Sequence, residues 1–412
     1  MRRQTLWTAI CVAAAALGTT ATNADFIDDS QVQLKFRNFY LDRQYETLPQ
    51  NNWGSWSQAI SLDAKSGYAQ IGALQVGADV LVQHAFRLNG RDKNADWVLP
   101  HNGQEQARDF GKVGATLKAK VSQTELKVGE LLPVSPVLVF DPSRQLLTTY
   151  RGAWLESKEL KDTKLSLAYI DGINARYDNQ FQDLSLFPNN NPNTAKTADG
   201  MYIAGIDHQF NPEFGASYWY ADVKDIYQQH YAGISYNTTL GTNTKLTSHV
   251  RYFDNSESGD KLYGEIDNQA LSMGAKFSHG SHSVGLGYQQ MFGDNSFPTL
   301  AGWVPQPYLV NWSVATFTNA KEKSWNISYG YDFAELGLKG LNANAIYFAG
   351  FDATAGGKTD QDEQELNLIV NYTVAEGKFK GLGIQAMYID TDYDWKSDLK
   401  EYRVATTYSY KF

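Results

Sequence analysis

The chain has 412 residues, a formal net charge of −9 and 42% hydrophobic residues, with 34 Gly and 25 Tyr. The acidic excess argues against a nucleic-acid-binding protein, because such proteins carry a basic excess. No segment has 18 consecutive apolar residues, which excludes a helical membrane protein. There is no linker and no shift in composition, so one β-rich domain is a simpler interpretation than two soluble domains.

The N-terminus has the features of a secretory signal peptide. Arg2 and Arg3 form a positive start, Leu6–Leu17 is almost wholly apolar, and Thr22-Asn23-Ala24 supplies the cleavage site. We therefore predict residues 1–24 as a signal peptide and residues 25–412 as the mature domain. Cleavage would leave 412 − 24 = 388 residues, no cysteine and a net charge of 34 − 45 = −11.

Alternating segments follow in chain order. In the first one Val32, Leu34 and Phe36 share a face, while Lys35 and Arg37 lie on the other. The alternation blurs at residues 38–39, which would accommodate a β-bulge. We predict eighteen strands: Gln31–Tyr40, Trp56–Ala64, Leu74–Val82, Lys112–Val121, Leu126–Val128, Tyr150–Ser157, Thr163–Ile170, Met201–Phe210, Phe214–Val223, Ile226–Thr238, Thr244–Phe253, Ala270–His279, His282–Met291, Ser324–Phe333, Leu341–Gly350, Gln364–Val374, Gly381–Asp390 and Glu401–Phe412.

The last strand carries the strongest pattern. Every second residue from Tyr402 to Phe412 is aromatic, aliphatic or Thr, and the positions between them are small, polar or basic. A strand between lipid and a water-filled lumen needs this alternation, although a half-buried strand of a soluble protein would also show it. An aromatic C-terminal residue is typical of bacterial outer-membrane barrels, in which the assembly machinery reads the last strand. Phe412 is therefore our candidate contact with that machinery.

The segments together predict an all-β fold, a transmembrane antiparallel β-barrel of about 18 strands. About 21 residues per strand and connection suffice for tilted strands joined alternately by short turns and long loops. An 18-strand barrel is too wide for side chains alone to fill its lumen. We therefore expect a constriction loop folded into the lumen, and a location in the outer membrane of a Gram-negative bacterium.

Four stretches resemble the OprD-type porin family, the outer-membrane carboxylate channels. They are Leu34–Arg43, Gly129–Val137 with the following Asp141–Leu147, Asn311–Trp325, and Glu401–Arg403. The resemblance implies an 18-stranded pore whose basic ladder leads carboxylate-bearing solutes through a narrow constriction.

Carried over residue by residue, the resemblance makes Arg37 and Arg43 rungs on the first strand and Arg403 a rung on the last. It places Ser143 and Arg144 on the constriction loop. The chain departs from the family pattern at Gln385 and Met387, where many members have arginine, and at Lys321 and Lys323 beside Glu322. The thinner ladder leaves open which carboxylate is preferred.

The alternation of side chains along the strands supports a set of basic residues in the lumen independently of the family resemblance. A charge facing lipid at mid-depth costs about 2–4 kcal/mol, so bases opposite the apolar faces belong in the lumen. A polar lumen with scattered charges would explain some of them equally well. The bases on these polar faces are Lys35, Arg37, Lys112, Lys118, Lys120, Arg251 and Arg403.

The function predicted from these residues is passive, substrate-selective uptake of small carboxylates. The seven histidines show no metal-ligand spacing, so we expect no enzyme, no catalytic residue, no metal and no cofactor. The alternatives are a general or sugar-type porin, or an adhesin barrel that uses its long outer loops. The expected partners are carboxylate solutes, outer-membrane lipid and lipopolysaccharide, without nucleic acid. Both a single-chain pore and a loose trimer remain open.

Overall fold

The computed structural model describes residues 24–90, 93–187, 196–302 and 304–412. Apart from Ala24, the predicted signal peptide lies outside the described residues and stays a prediction. One short helix, α1 (Ala24–Asp28), precedes the strands, and Pro49–Asn51 and Phe333–Leu336 form 3₁₀ turns. Within the described ranges, no helix combines the length and the apolar character needed to cross a membrane.

The rest of the architecture is antiparallel strand. The strands are β1 (Gln31–Tyr45), β2 (Trp53–Lys65), β3 (Ala69–Ile71), β4 (Leu74–Gly90), β5 (Asp109–Val121), β6 (Thr124–Leu131), β7 (Thr149–Ser157), β8 (Thr163–Asn174), β9 (Met201–Gln209), β10 (Phe214–Val223), β11 (Tyr227–Leu240), β12 (Thr244–Glu257), β13 (Asp267–His279), β14 (His282–Phe292), β15 (Lys323–Asp332), β16 (Leu341–Ala355), β17 (Lys358–Thr373), β18 (Gly383–Tyr393) and β19 (Leu399–Lys411). Each of the eighteen predicted segments overlaps one of them.

The sheet closes on itself. Each long strand pairs with the next long strand along the chain, and β1 pairs with β19 from Gln33 opposite Lys411 to Tyr45 opposite Leu399. The three-residue β3 pairs only with the start of β4, so it is an extra strand at one rim. The fold is a closed 18-strand antiparallel barrel, which confirms the predicted fold class. Closure removes the free sheet edges that lipid cannot satisfy.

The side-chain alternation has the predicted sense. On β5, Leu117 is 61% exposed on the outer face, whereas the adjacent Lys118 is 8% exposed and faces inward. Large apolar residues on the outer faces of other strands, such as Leu286 and Ile327, are exposed in the same way. These residues give the barrel an apolar outer surface and a polar lumen, as a lipid-embedded barrel requires.

The blurred alternation at residues 38–39 allowed a bulge, but the strand has none there, since β1 keeps continuous register with both neighbours. Asn38 points outward, where its amide donates to Gln58 Oε1 at 3.1 Å and its oxygen accepts from Trp56 Nε1 at 2.8 Å. Phe39 points inward into an apolar cluster with Leu146. The alternation is blurred for two reasons. The polar Asn38 on the outer face has its hydrogen bonds satisfied, and the apolar Phe39 on the inner face packs against the constriction loop.

Two connections fold into the lumen. The constriction loop (residues 132–148) and the inner loop (residues 293–322, described except for residue 303) share a core in which Leu138 and Leu309 are 1% and 2% exposed. Gln306 Nε2 of the inner loop donates to Pro136 O of the constriction loop at 2.9 Å. The loop predicted to narrow the barrel thus lies inside it, braced by a second loop.

Candidate functional site

A cavity of about 420 Å³ lies where the constriction loop meets the barrel wall. Its wall comes from the ends of β1 and β19 that lie on the long-loop side, from the constriction loop, from the connection after β8 and from the inner loop. The polar residues that line it are Arg43, Asp141, Ser143, Arg144, Arg176, Ser313 and Arg403. We call this cavity the constriction.

One half of the constriction lies on the seam between the first and last strands. Arg43 is directly opposite Glu401 in the β1–β19 pairing, and its Nε lies 2.5 Å from Glu401 Oε2. Arg403 Nε, two residues further along β19, donates to the other carboxylate oxygen. Both arginine side chains are about 15% exposed, while the Glu401 side chain is fully buried. Glu401 thus fixes two guanidinium groups that still reach the cavity.

The other half is built around Asp141 of the constriction loop. One Asp141 oxygen accepts from Arg176, and the other accepts from the Ser143 backbone N–H at 2.7 Å. Arg176 also donates to Ser143 Oγ at 2.9 Å. Burial alone would raise the pKa of Asp141, but the Arg176 charge and the Ser143 hydrogen bonds outweigh it and hold that pKa below its usual value.

Arg144 is the least satisfied charge in the constriction. Its side chain is buried at 6% exposure, its Nη1 reaches only Ser143, at 3.3 Å and 3.4 Å, and its Nε has no partner among the described residues. Burial, followed by the nearby charges of Arg176 and Arg403, holds the pKa of Arg144 well below its usual value. A desolvated guanidinium without a counter-ion favours binding of an anion.

The constriction therefore has a local positive excess. Four guanidinium groups (Arg43, Arg144, Arg176, Arg403) face two carboxylates (Asp141, Glu401), so the formal local charge is 4 − 2 = +2. Arg37 lies next to this group, because its backbone oxygen accepts from Gln145 of the constriction loop at 3.0 Å. Local potential governs a solute in a narrow pore, and it is positive here although the chain is acidic.

Aromatic rings complete the wall of the constriction. Arg43 stacks on Trp53, with its guanidinium carbon 4.4 Å from the ring centroid. The rings that line the cavity are those of Tyr45, Trp53, Trp97, Phe187 and Trp312. A solute that carried both a negative group and a flat apolar body would contact arginine and aromatic ring together.

The structure brings together Arg43, Ser143, Arg144 and Arg403 of the predicted site residues, but not the others. Lys35 Nζ lies 3.4 Å from Asp63, and Lys118 Nζ lies 2.7 Å from Asp79. Lys120 lies near the Tyr68 ring, 6.0 Å from its centroid. Arg251 lines a different cavity. Alternation predicts whether a base faces the lumen or the lipid. It does not predict how far along the barrel axis the base lies, or on which side of the lumen.

Lys112 faces inward as expected, but it ties two loops together. Its ammonium donates to Leu147 O at 3.0 Å, to Asn174 O at 3.2 Å and to Ala175 O. These three hydrogen bonds use all three donors of the ammonium, so none is left for a passing solute. Lys112 therefore fastens the constriction loop to the start of the connection after β8.

The departures from the family pattern lie in different places. Gln385 and Met387 are on the inward face of β18, where Gln385 donates to Asn371 Oδ1 at 2.8 Å. Lys323 lies on the outer side of β15, with its Nζ 2.9 Å from Asp352. Gln385 and Met387 are thus departures on an inward strand face, whereas Lys323 is not.

Sequence reasoning missed Arg176 and the roles of Asp141 and Glu401. Arg176 follows β8 in a connection without periodicity, so nothing in its local sequence set it apart. Glu401 lies two positions from Arg403, and that spacing on one strand face was the available signal.

A closed barrel with an apolar exterior and an inward loop around a charged constriction defines an outer-membrane porin. A family model described as outer membrane porin, OprD family, matches residues 24–412. The chain belongs to this family, and it is an outer-membrane channel rather than an enzyme.

Known porins resemble the chain over nearly its whole length. Porin-like protein GalP of Pseudomonas putida is 33% identical over 390 residues, which are 93% of this chain and 92% of GalP. A BenF-like porin from Pseudomonas fluorescens Pf-5 superposes with a TM-score of 0.90 at 31% identity, covering 94% of this chain and all of the other. OpdK of Pseudomonas aeruginosa, solved with vanillate, gives a TM-score of 0.88 at 29% identity with the same coverage.

Proposed function

We propose that this porin gives passive uptake of small carboxylate-bearing solutes and that it prefers those with an aromatic ring. The observation that carries the proposal is the set of four guanidinium groups around one cavity of about 420 Å³ with only two carboxylates among them. The concentration gradient alone would drive transport.

Arginine suits this role because its planar group donates two parallel hydrogen bonds to a carboxylate. Arg144, with its unpartnered Nε, is the first group that we expect a carboxylate to satisfy. The carboxylate would then move to Arg43 and Arg403 on the seam between β1 and β19, with Arg37 next to them. These residues form the basic ladder of the proposal.

The aromatic preference has two supports. Five aromatic rings line the constriction, and Arg43 already stacks on one of them. OpdK, whose barrel resembles this one, was solved with vanillate, which is an aromatic carboxylate.

The same rings also fit the sugar-channel alternative, because sugars bind to aromatic faces. The aromatic residues of the last strand, such as Tyr402 and Tyr410, do face outward, but Trp97 and Trp312 are in the constriction. What separates the two functions is the guanidinium cluster, since a neutral sugar needs no local charge of +2.

The test compares benzoate with its neutral isostere benzamide in liposomes that contain the purified full-length porin. We expect wild-type flux to favour benzoate, and we expect Arg144→Ala to reduce benzoate flux about tenfold, the loss of one charge-assisted hydrogen bond. Benzamide flux should rise slightly, because the constriction becomes wider. Lys120→Ala is the matched control, because it removes a lumenal base outside the constriction.

Two outcomes would contradict the proposal. One is wild-type flux of a neutral sugar that equals or exceeds benzoate flux. The other is normal benzoate flux in Arg144→Ala, Arg37→Ala and Arg403→Ala alike. A loss in Arg403→Ala without a loss in Arg144→Ala would keep the ladder but move its decisive rung to the seam.

We further propose that outer-membrane lipid and lipopolysaccharide cover the apolar outer surface and that the assembly machinery reads Phe412. The support for the second contact is that Phe412 is 75% exposed at the end of the closing strand.

A further inference from the structure

A second cavity of the described residues is larger than the constriction. It measures about 820 Å³ and is formed by β8 to β12, from the turn at residues 158–162 to the middle of β12. β11 and β12 lie about half-way round the ring from β1, so this cavity is on the wall opposite the seam. It extends to the rim of short turns, where β1 begins and β19 ends, and we call it the exit cavity.

Arg251 projects into the exit cavity from β12. Its Nη1 donates to Tyr308 O at 3.0 Å and to Pro307 O at 3.4 Å, and its guanidinium carbon lies 5.0 Å from the Tyr308 ring centroid. No carboxylate forms an ion pair with Arg251 among the residues that the structure describes. The inner loop thus fixes the direction of this guanidinium without neutralising it.

The acids of the exit cavity are engaged elsewhere. Asp207 pairs with Lys164 at 3.1 Å and accepts from Trp219 Nε1 at 3.2 Å. Glu159 accepts from the Gln123 backbone at 2.7 Å, and Asp162 lies beside Lys161. With Lys158, Lys161, Lys164 and Arg251 among the lining residues, the formal charge of the lining is 4 − 3 = +1.

The surroundings of Arg251 suit a flat anion. The Tyr231 and Tyr308 rings meet edge to face with centroids 5.8 Å apart, and both rings border the cavity. Gly233 lies on the same wall, and a side chain there would clash with the Tyr231 ring, so this glycine makes room for the ring beside the cavity. His249 also lines the cavity, and its buried Nε2 has no hydrogen-bond partner among the described residues.

The inner loop connects the two cavities. Tyr308 borders the exit cavity, and Trp312, four residues later, borders the constriction. A solute that leaves the constriction toward the short-turn rim therefore next meets the exit cavity. Its wall carries the guanidinium of Arg251, which has no carboxylate partner among the described residues, and the rings of Tyr231 and Tyr308.

We propose that the exit cavity is a second binding station for aromatic carboxylates, in which Arg251 binds the carboxylate and Tyr308 and Tyr231 hold the ring. The station rests on the proposed function, because it serves solutes that the constriction has admitted. A second site across the lumen would shorten the residence of the anion at Arg144, since the solute can move to a new partner before it returns to water.

The test is single-channel recording in planar bilayers with benzoate added to one side at a time. In the wild type we expect current block from both sides. In Arg251→Gln, block by benzoate added on the short-turn side should weaken about tenfold, while block from the long-loop side changes less than about twofold. In Arg144→Ala the pattern should reverse.

Two further variants separate the station from other roles of Arg251. Lys276→Gln removes a base from the neighbouring inward face of β13, outside the exit cavity, and should leave short-turn-side block unchanged. Arg251→Lys keeps a donor for the inner-loop carbonyls but loses the planar fork, so it should bind benzoate more weakly than the wild type with an unchanged open-channel current.

The station would be overturned if Lys276→Gln weakened short-turn-side block as much as Arg251→Gln, because a general field would then explain it. It would also be overturned if Arg251→Gln changed benzamide passage and open-channel noise but not benzoate block, since Arg251 would then only hold the loop. Normal long-loop-side block in Arg144→Ala together with lost short-turn-side block in Arg251→Gln would refute the proposed constriction but support the station.

Discussion

Arg43 and Glu401 face each other across the seam where the barrel closes, with Arg43 Nε 2.5 Å from Glu401 Oε2. Glu401 also accepts from Arg403, so one buried carboxylate orients a guanidinium from each end of the chain. The carboxylate thus serves both the closure of the barrel and the geometry of the constriction.

The first prediction concerns Glu401→Gln. Removing this charge leaves Arg43 and Arg403 without their shared partner, and breaking a buried ion pair from one side costs about 3–5 kcal/mol. The temperature of heat-induced barrel unfolding should therefore fall. The local charge of the constriction should rise by one, so the reversal potential in a salt gradient should shift toward stronger anion selectivity. An unchanged reversal potential would show that Glu401 lies outside the conduction path.

The second prediction tests the two faces of one strand. Ile327 is 45% exposed on the outer face near the middle of β15, and the next residue, Ser328, faces the lumen. Ile327→Arg should destabilise the barrel by about 2–4 kcal/mol, because it places a charge in lipid at mid-depth. Ser328→Arg should alter conductance with a smaller loss of stability. Equal unfolding free energies for the two variants, measured in detergent or lipid with urea, would contradict the assigned orientation of β15.

The third prediction is a pH dependence of the inner loop. Glu322, at the end of this loop, is 1% exposed and lies within hydrogen-bonding reach of Glu363, which is 2% exposed. Asn319 Nδ2 donates to Glu322 Oε2 at 2.9 Å and to Glu363 Oε1 at 3.4 Å, while Lys396 and Glu365 are the other charges nearby. Burial raises the pKa of Glu322, so the folded protein holds a proton more tightly than the unfolded chain.

The sign of the effect follows from that direction. The stabilising contribution is complete below the ordinary value of about 4.5 and is lost as the pH rises through the raised pKa of Glu322. Open-channel current noise from the inner loop should therefore increase as the pH is raised above about 4.5. Glu363→Gln supplies a permanent hydrogen-bond donor and should flatten this dependence. A profile as steep as that of the wild type in this variant would remove the carboxyl pair as the cause.

The fourth prediction concerns the chain end. The Phe412 backbone N–H donates to Val32 O at 3.0 Å. The centroid of the Phe412 ring lies 4.9 Å from that of the Tyr410 ring. Removing Phe412, or replacing it with Asp, should reduce the yield of heat-modifiable barrel in the outer membrane of cells. Refolding of the same variant from urea into detergent should be affected less, because the proposed recognition signal would act only during assembly in the cell. Normal yield in cells would rule out Phe412 as that signal.

The barrel was predictable because its signal is local. Alternation along each strand fixes which side chains face lipid. In the strand from Lys112 to Val121, once one side chain is assigned to the lumen, the two-residue period assigns all the others. The number of strands follows from counting such segments. The resemblance made Arg43 and Arg403 rungs on the first and last strands and Arg144 a residue of the constriction loop, and these three residues line one cavity.

The contacts between loops and wall were not predictable in this way. Arg176 lies in an aperiodic connection, and only the folded loop brings it to Asp141. Arg251 and Lys112 have the predicted orientation, but their partners are backbone oxygens of distant loops. At Asn38, two hydrogen bonds to side chains of β2 satisfy an amide on the outer face, where the apolar pattern of the strand predicts an apolar residue.

The fastening by Lys112 has a consequence for how such a channel can change. Its ammonium donates to main-chain oxygens, at Leu147, Asn174 and Ala175, and every amino acid provides that oxygen. Loop side chains can therefore be exchanged while the attachment point persists. New specificities can be grafted onto the same scaffold by rewriting the loops, provided that their lengths at this point and the lysine on the wall are kept.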